Sequence, residues 1–482
     1  MVVDRKAETP LHKQIYDGFR ASILRRELRP GQRIPSSREL AAELRVSRFP
    51  VLNAYSQLLA EGYFESRVGA GTFVSGSLPE QRMSVTLPNT ASIQTRSGPR
   101  PVAQRSFLYP TFHGHPAVFG WGAFGVHQPA FDQFPFQTWS SLVARHSRNP
   151  GASAIHYVNP LGTDRFREAI ADYLRTARGV KCDISQIMSV SGSQQALDIT
   201  ARVLFDPGDP VWIEEPGYRL QRSVLMAAGC RLIPIPVDEE GMDVAAGIRT
   251  RRKAKAAFVT PSHHYPLGVT MSASRRLQLL NWAQHSGAWI VEDDYDSEYR
   301  YESLPIASLH GLDVNQRVIY IGTFSKVMFA SLRLGYIVIP PDLVERFTAV
   351  RHVMDIFPPY LYQEVLSDFI NEGHFTRHIR KMRQVYSEKR TALVESLRAE
   401  FGDEVEIHGA EAGMHLAITL QEELQDVEIA IKAARERLWL WPLSPSYIGE
   451  KSRKGFVLGF GSAPRDLIPQ YVRHLRTILS AG

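Results

Sequence analysis

Seven short apolar runs, at residues 187–190, 210–214, 231–235, 256–260, 288–292, 318–321 and 335–339, succeed one another along the middle of the chain. Stretches with helical periodicity, at 194–206, 216–228 and 272–286, separate several of them. This alternation predicts an α/β body with a mostly parallel, seven-stranded sheet. Ligands of such sheets sit beyond the carboxyl ends of the strands. At 482 residues the chain also exceeds one ordinary core, so two or three domains are expected.

The residues that carry chemistry cluster just past these runs. After the first, Ser193 and Gln194 open a helix whose backbone amides and dipole can cradle a phosphate. After the second, Tyr218 follows a Pro-Gly turn, where its ring could stack on a flat cofactor. After the fifth, Glu292, Asp293, Asp294 and Asp296 surround Tyr295. So many carboxylates at a strand end are costly without a cation or a protonated heterocycle to balance them. After the sixth comes Lys326, with the hydroxyls of Thr323 and Ser325 before it and the guanidinium of Arg333 after it.

Taken singly, each has a plainer reading: a helix cap, a core tyrosine, a solvated lysine. As a set they meet the needs of pyridoxal 5'-phosphate. Lys326 supplies the Schiff-base amine, Asp293 keeps the pyridine nitrogen protonated, and Tyr295 donates to the ring's phenolate oxygen. Thr323, Ser325, Arg333 and the Ser193 and Gln194 amides hold the phosphate. In order and spacing, residues from about 120 to 480 resemble the fold-type I aminotransferases. That resemblance implies a dimer in which Tyr157 reaches the phosphate of the partner subunit. It also implies a small C-terminal α/β subdomain from about residue 345.

The first 78 residues read differently. Leu11, Ile15, Phe19, Ile23 and Leu24 mark an amphipathic helix between Leu11 and Leu28, closed by Pro30 and Gly31. Ser36 can cap a second helix with Glu39 as its capping-box partner. A third runs from Arg48 to about Glu61, with Ser47 as its N-cap and Val51, Ala54, Tyr55 and Leu58 inward. Pro50 falls in its first turn, where a missing N–H is tolerated but cannot receive the Ser47 hydroxyl. Residues 63–74 alternate around Gly69 and Gly71 and predict a hairpin wing. This stretch resembles the winged helix-turn-helix of the GntR family of bacterial transcription regulators. The resemblance assigns DNA contacts to Ser36, Arg38, Ser47, Arg48 and Phe49, and to Arg67, Gly69, Gly71 and Thr72 of the wing. A plainer role for Arg38 is an ion pair with Glu39 or Glu43.

Charge agrees with a polyanion at this end. The first 110 residues hold 16 Lys and Arg against 9 Asp and Glu, so the net charge of +6 leaves the remainder near −1. Residues 79–118, rich in Pro, Ser, Gln and Arg, read as a flexible basic linker to a body spanning 119–482. Cys182 and Cys230 lack metal or disulfide spacing and read as buried thiols, so no metal is expected. No apolar stretch suits a membrane span and no secretory leader opens the chain, so the reading is cytoplasmic.

A winged helix joined to an aminotransferase-like body resembles the MocR-type subgroup of GntR regulators. The resemblance implies a head-to-tail homodimer that binds double-stranded operator DNA and senses an amine, an amino-acid-like effector or the cofactor itself through Lys326. The alternative is a working aminotransferase with an accessory DNA-binding head. Two departures from the enzyme pattern bear on this. Aminotransferases present Asn-Pro-x-Gly where this chain has Tyr265, Pro266, Leu267 and Gly268, which leaves His263, His264 or Tyr265 as substitutes for the asparagine. Val457 stands where an arginine would hold a substrate carboxylate, unless Arg453, Lys454 or Arg465 moves in.

Overall fold

The computed structural model describes residues 3–67, 69–78, 101–109, 120–126, 128–148, 150–151, 154–251, 253–301, 307–420, 424–449 and 452–480. Most of the expected 79–118 linker lies outside them. The chain divides into two compact units, Met1–Pro101 and Val102–Gly482.

In the first unit α1 (Leu11–Leu24), α2 (Ser37–Glu43) and α3 (Arg48–Ala60) pack around Ile15, Phe19, Val51 and Leu58. Phe19, Tyr55 and Phe64 meet edge to face with ring centroids 5.3 to 5.7 Å apart. Each such pair contributes about 0.5–1.5 kcal/mol beyond the area it buries. The Ser36–Glu39 capping box forms as the sequence predicts. Ser47 precedes α3 without a side-chain cap bond, the cost of Pro50. Helix α1 stops four residues short of Leu28, because Arg26 takes a left-handed conformation (φ 62°) and turns the chain out. Strands β1 (Arg33–Ile34), β2 (Phe64–Arg67) and β3 (Gly71–Val74) form a three-stranded antiparallel wing, with β3 central.

The second unit holds a sheet ordered β4-β11-β10-β9-β8-β5-β6-β7. Its strands are β4 (Ile187–Val190), β5 (Pro210–Glu215), β6 (Arg231–Asp238), β7 (Gly241–Met242), β8 (Ala256–Val259), β9 (Trp289–Asp294), β10 (Val318–Thr323) and β11 (Gly335–Val338). All seven apolar runs became strands, and β7 adds a two-residue antiparallel edge. The pairs β6–β5, β5–β8, β8–β9 and β9–β10 are parallel, whereas β11 runs antiparallel to both β10 and β4. A separate antiparallel sheet follows, ordered β12-β13-β15-β14, from β12 (Glu406–His408), β13 (His415–Thr419), β14 (Trp441–Pro442) and β15 (Gly455–Gly459). Helices His374–Phe401 and Ile468–Ser480 pack with it around Leu397, Leu416, Phe456 and Val472. Cys230 is buried and Cys182 only half-buried, a correction to the expected pair of buried thiols. Among the described residues no helix is long and apolar enough to cross a membrane.

Register is what gathers the site. Asp293 stands opposite Ile321, Asp294 opposite Gly322, Thr323 opposite Gly335, and Gly335 opposite Val190. The residues just past β4, β9 and β10 therefore share one edge of the sheet.

Candidate cofactor site and nucleic-acid face

Four carboxylates meet at the end of β9, and three of them accept hydrogen bonds from the protein itself. Glu292 accepts from the backbone N–H groups of Leu309 and His310, both at 2.9 Å. Asp294 pairs with Arg178 at 2.6 Å and accepts from the Ser297 hydroxyl at 2.9 Å and from Tyr320. Asp296 accepts from His263 Nδ1 at 2.9 Å and from the Met414 N–H at 3.2 Å. Asp293 differs: it is 4 % exposed and, among the described residues, no hydrogen bond reaches its carboxyl, whereas Asp294 and Asp296 each leave only one oxygen, Oδ1, without a partner. Burial, with the neighbouring Asp294, pushes its carboxyl up to about 7.

Lys326 is the charge facing Asp293. Burial lowers its ammonium to about 8, against the pull of Asp296 and Asp293 and with the help of Arg333. A lysine so tuned carries a substantial neutral fraction near neutrality, as a nucleophilic amine needs.

The phosphate end is built from three elements. The helix Ser193–Leu204 begins with Gly192 at φ 91° and no side-chain cap bond, so its first amides point outward unclaimed by a cap. A Cβ on Gly192 would sit 3.3 Å from the Arg333 guanidinium, so the glycine lets that side chain cross the helix start. Arg333 itself adopts φ 50°, unusual for a residue with a side chain, and bonds the Ser191 carbonyl. Thr323 Oγ1 accepts from the Ser325 N–H at 3.2 Å, and the buried Ser325 hydroxyl has no partner. Orphaned polar atoms at Asp293, within electrostatic reach of the tuned lysine, and at Ser325, its neighbour in the chain, fit a molecule with a basic ring nitrogen and a phosphate.

The aromatic wall follows. Gln194 Nε2 donates to the Tyr218 hydroxyl at 3.3 Å, and the Tyr218 and Tyr265 rings lie 5.6 Å apart. The Tyr295 hydroxyl is 3.3 Å from His263 Nδ1. His264, expected as a cofactor contact, is a correction. Its Nε2 bonds the Pro216 carbonyl at 3.0 Å, its Nδ1 accepts from the Leu267 N–H at 3.4 Å, and burial lowers it to about 3. It ties two loops together instead. Val457 is fully buried with Leu267 and Leu443. Of the cations named as substitutes, Arg453 is exposed, Lys454 is half-buried and Arg465 pairs with Glu388 at 3.4 Å, while Arg219 lies within electrostatic reach of Tyr265. Tyr157 is 78 % exposed, with its ring 5.5 Å from Phe357.

In the other unit Ser36, Arg38, Ser47, Arg48 and Phe49 lie on the exposed side of α2 and α3. Arg48 Nε donates to the Ser37 hydroxyl at 3.0 Å. Arg38 pairs with neither Glu39 nor Glu43 among the described residues. Phe49 is 70 % exposed, far above what a core aromatic shows. Gly69 and Gly71 form the wing tip at φ 75° and 111°, with Thr72 half-buried beside them. Arg67 is engaged locally, paired with Glu65 at 2.6 Å and lying 4.8 Å over the Phe73 ring.

Comparison with known proteins agrees with both halves. Residues 11–74 match the family described as bacterial regulatory proteins, gntR family, and residues 124–453 match aminotransferase class I and II. The chain is 38 % identical over 481 residues to the probable rhizopine catabolism regulatory protein MocR of Rhizobium meliloti, covering 100 % of this chain and 96 % of that one. The chain belongs to the MocR-type subgroup of the GntR family of DNA-binding transcription regulators.

A second MocR-type relative, the pyridoxine biosynthesis transcriptional regulator PdxR of Corynebacterium glutamicum, is 29 % identical over 98 % of this chain and 97 % of its own. Among solved structures, the α-aminoadipate aminotransferase LysN of Thermus thermophilus, complexed with N-(5'-phosphopyridoxyl)-L-leucine, superposes with a TM-score of 0.73 at 26 % identity. It covers 79 % of this chain and 97 % of its own. The multiple substrate aminotransferase of Thermococcus profundus gives 0.72 at 26 % identity, covering 79 % of this chain and 97 % of its own.

Two features of this MocR-type body escape sequence reasoning. Arg178, which neutralises Asp294, lies 116 positions from it, and no local pattern marks it. His263, Asp296 and His415 bring their ligand atoms within 4.8 Å of one another, a set suited to a metal that cysteine spacing could not suggest. The Asp296 Oδ2 of that set is already shared by His263 and the Met414 amide.

Proposed function

We propose that this regulator holds pyridoxal 5'-phosphate on Lys326 and changes its grip on double-stranded operator DNA when a primary amine, an amino-acid-like effector or the cofactor itself occupies that site. The observation that carries this reading is Asp293, a buried carboxyl beside a tuned lysine that accepts no hydrogen bond among the described residues, where each of the other strand-end carboxylates accepts at least two. Asp293 holds the ring nitrogen's proton; Tyr295 and Tyr265 face the ring oxygen. Thr323, Ser325, Arg333 and the Ser193 and Gln194 amides hold the phosphate, and Tyr218 lies against the ring. When bound, the cofactor supplies an aldehyde that exchanges one primary amine for another. Lys326 Nζ is the amine that an effector displaces, and its release changes the charge facing Asp293 and Asp296. A ligand shifts the protein only by favouring one arrangement over another, so the effector must bind the DNA-competent and DNA-released forms unequally.

Sustained transamination of ordinary amino acids is disfavoured by Val457, an apolar side chain packed with Leu267 and Leu443 at the position where aminotransferases carry an arginine for the substrate carboxylate. A homodimer is supported by the exposed Ile155, Tyr157, Val353, Ile356 and Tyr362, apolar surface that a second copy would cover. In it, Tyr157 reaches the partner subunit's phosphate. In the head, Arg38, Arg48 and Phe49 meet the major groove with Ser36 and Ser47 on its phosphates, and Arg67, Gly69, Gly71 and Thr72 follow the backbone.

The test is spectroscopic and binding together. Purified protein is expected to show the visible band of lysine-bound pyridoxal, absent in Lys326→Ala, and to retard a fragment of its own promoter. A colourless wild-type protein under cofactor excess would remove the cofactor reading, and a DNA-indifferent one the regulatory reading.

A further inference from the structure

The start of the helix Ser193–Leu204 is held from behind by a closed set of three polar side chains, Gln195, Arg351 and Asp355, none of them among the cofactor contacts above. Gln195 turns back across the helix start, where its Oε1 accepts from the Ser191 N–H at 2.7 Å. The same oxygen accepts from Arg351 Nη1 at 2.8 Å, and Gln195 Nε2 donates to Asp355 Oδ2 at 2.9 Å. Asp355 Oδ1 closes the set, 2.6 Å from Arg351 Nε. Arg351 Nη1 also donates to the Ser189 carbonyl on β4 at 3.2 Å. These partners leave the Gln195 amide one orientation. Its oxygen faces two donors and its nitrogen a carboxylate, so turning it over would set donor against donor and lone pair against lone pair. The Ser191 peptide is thereby fixed at both ends, its N–H by Gln195 and its carbonyl by Arg333.

Asp355 keeps its place against local preference. It is the last residue of the helix Val344–Asp355, where the helix dipole disfavours an acid. The next residue, Ile356, adopts φ 65° and ψ −64°, with the Phe357 N–H on the Asp355 carbonyl at 2.7 Å. That is a γ-turn of the strained hand, on a β-branched residue. Strain of this kind persists only where the surroundings over-determine it, and it gathers at functional sites. Here the determination comes from Gln195 and from Arg351, whose side chain is 0 % exposed.

We propose that Arg351, Gln195 and Asp355 form a positioning clamp that aims the Ser193 and Gln194 amides and Arg333 at a phosphate, and so makes the protein discriminate pyridoxal 5'-phosphate from unphosphorylated pyridoxal. The clamp rests on the cofactor reading above. Its three side chains act through the Ser191 peptide rather than on the phosphate. Gly192 joins that peptide to the helix start, and a Cβ on it would lie 3.3 Å from the Arg333 guanidinium, so a shift of the peptide moves both phosphate-holding elements together.

The experiment titrates full-length, cofactor-stripped protein with pyridoxal 5'-phosphate and, separately, with pyridoxal, following the visible band of the lysine-bound aldehyde. Wild type is compared with Gln195→Met, Asp355→Ala and the double variant. Each single variant is expected to weaken pyridoxal 5'-phosphate about fivefold, the size of effect one hydrogen bond has, while pyridoxal affinity stays as in wild type. Because the side chains act as one unit, the double variant is expected to lose no more than the worse single one. Asp355→Ala strands a buried guanidinium and lowers stability; Gln195→Met leaves that ion pair in place and carries the test by itself. Equal losses for both aldehydes mark a general structural role and overturn the proposal, as do unchanged affinities or fully additive losses. A wild type that shows no band with either aldehyde refutes the cofactor reading, and the clamp falls with it. One that prefers the phosphate while the variants are indifferent removes the clamp alone.

Discussion

Replacing Arg178 with methionine removes the cation that balances Asp294 while keeping most of the side chain's length. The Arg178 side chain is 4 % exposed and that of Asp294 is 0 % exposed, and they meet at 2.6 Å. Breaking a buried pair from one side leaves an uncompensated charge and costs about 3–5 kcal/mol. The Tyr320 and Ser297 hydroxyls still donate to Asp294, which places the expected loss at the lower end, about 3 kcal/mol. Urea unfolding followed by tryptophan fluorescence reads this directly, because Trp212, Trp282 and Trp289 all lie in the same body. Arg178→Met/Asp294→Asn removes both charges and is expected to recover at least half of the loss, the signature of coupling in a double-mutant cycle. A loss below about 1 kcal/mol in the single variant, as surface pairs show, would refute the assignment of Arg178 as the buried counter-ion. So would a double variant no more stable than the single one.

The same geometry carries further expectations. Because burial lowers the Lys326 ammonium to about 8, its neutral amine grows as pH rises through that value. The initial rate of cofactor loading, followed by visible absorbance, is therefore expected to climb through about pH 8 and level off well below the usual lysine range; a climb centred at the ordinary lysine value would contradict it. Ser36→Ala removes one half of the capping box of α2 and should destabilise the head by about 1 kcal/mol, measurable as a lower melting point of the DNA-binding signal; an unchanged midpoint would mean the cap is idle. Arg48→Ala is expected to weaken binding to a promoter fragment by about tenfold or more, while leaving the visible cofactor band intact. Equal retardation of wild type and variant would remove Arg48 from the DNA face.

Much of the fold was legible because the apolar runs are strong signals: each of the seven became a strand. Their directions were not legible, since an apolar run reads the same in either sense, and only the structure reveals β11 running against β10 and β4. The two-residue strands β1 and β7 were too short to leave a periodic trace. At the site, the clustering of Glu292, Asp293, Asp294 and Asp296 was visible, but which carboxyl remained available was not. That depended on Arg178, His263 and the amides of Leu309, His310 and Met414, partners that come together only when the chain folds. His264 misled because a histidine beside a strand end looks like a ligand, whereas burial and the Pro216 carbonyl make it a loop clamp.

Lys326, in the proposed function, is the link between amine chemistry and DNA binding. Titrating a panel of primary amines into the cofactor-loaded protein on fluorescently labelled promoter DNA, with anisotropy and visible absorbance recorded on one sample, tests that link without an intermediary. One class of amine is expected to shift both signals over the same concentration range, and Lys326→Ala is expected to shift neither. A visible band that responds while DNA affinity stays constant across the whole panel would contradict it.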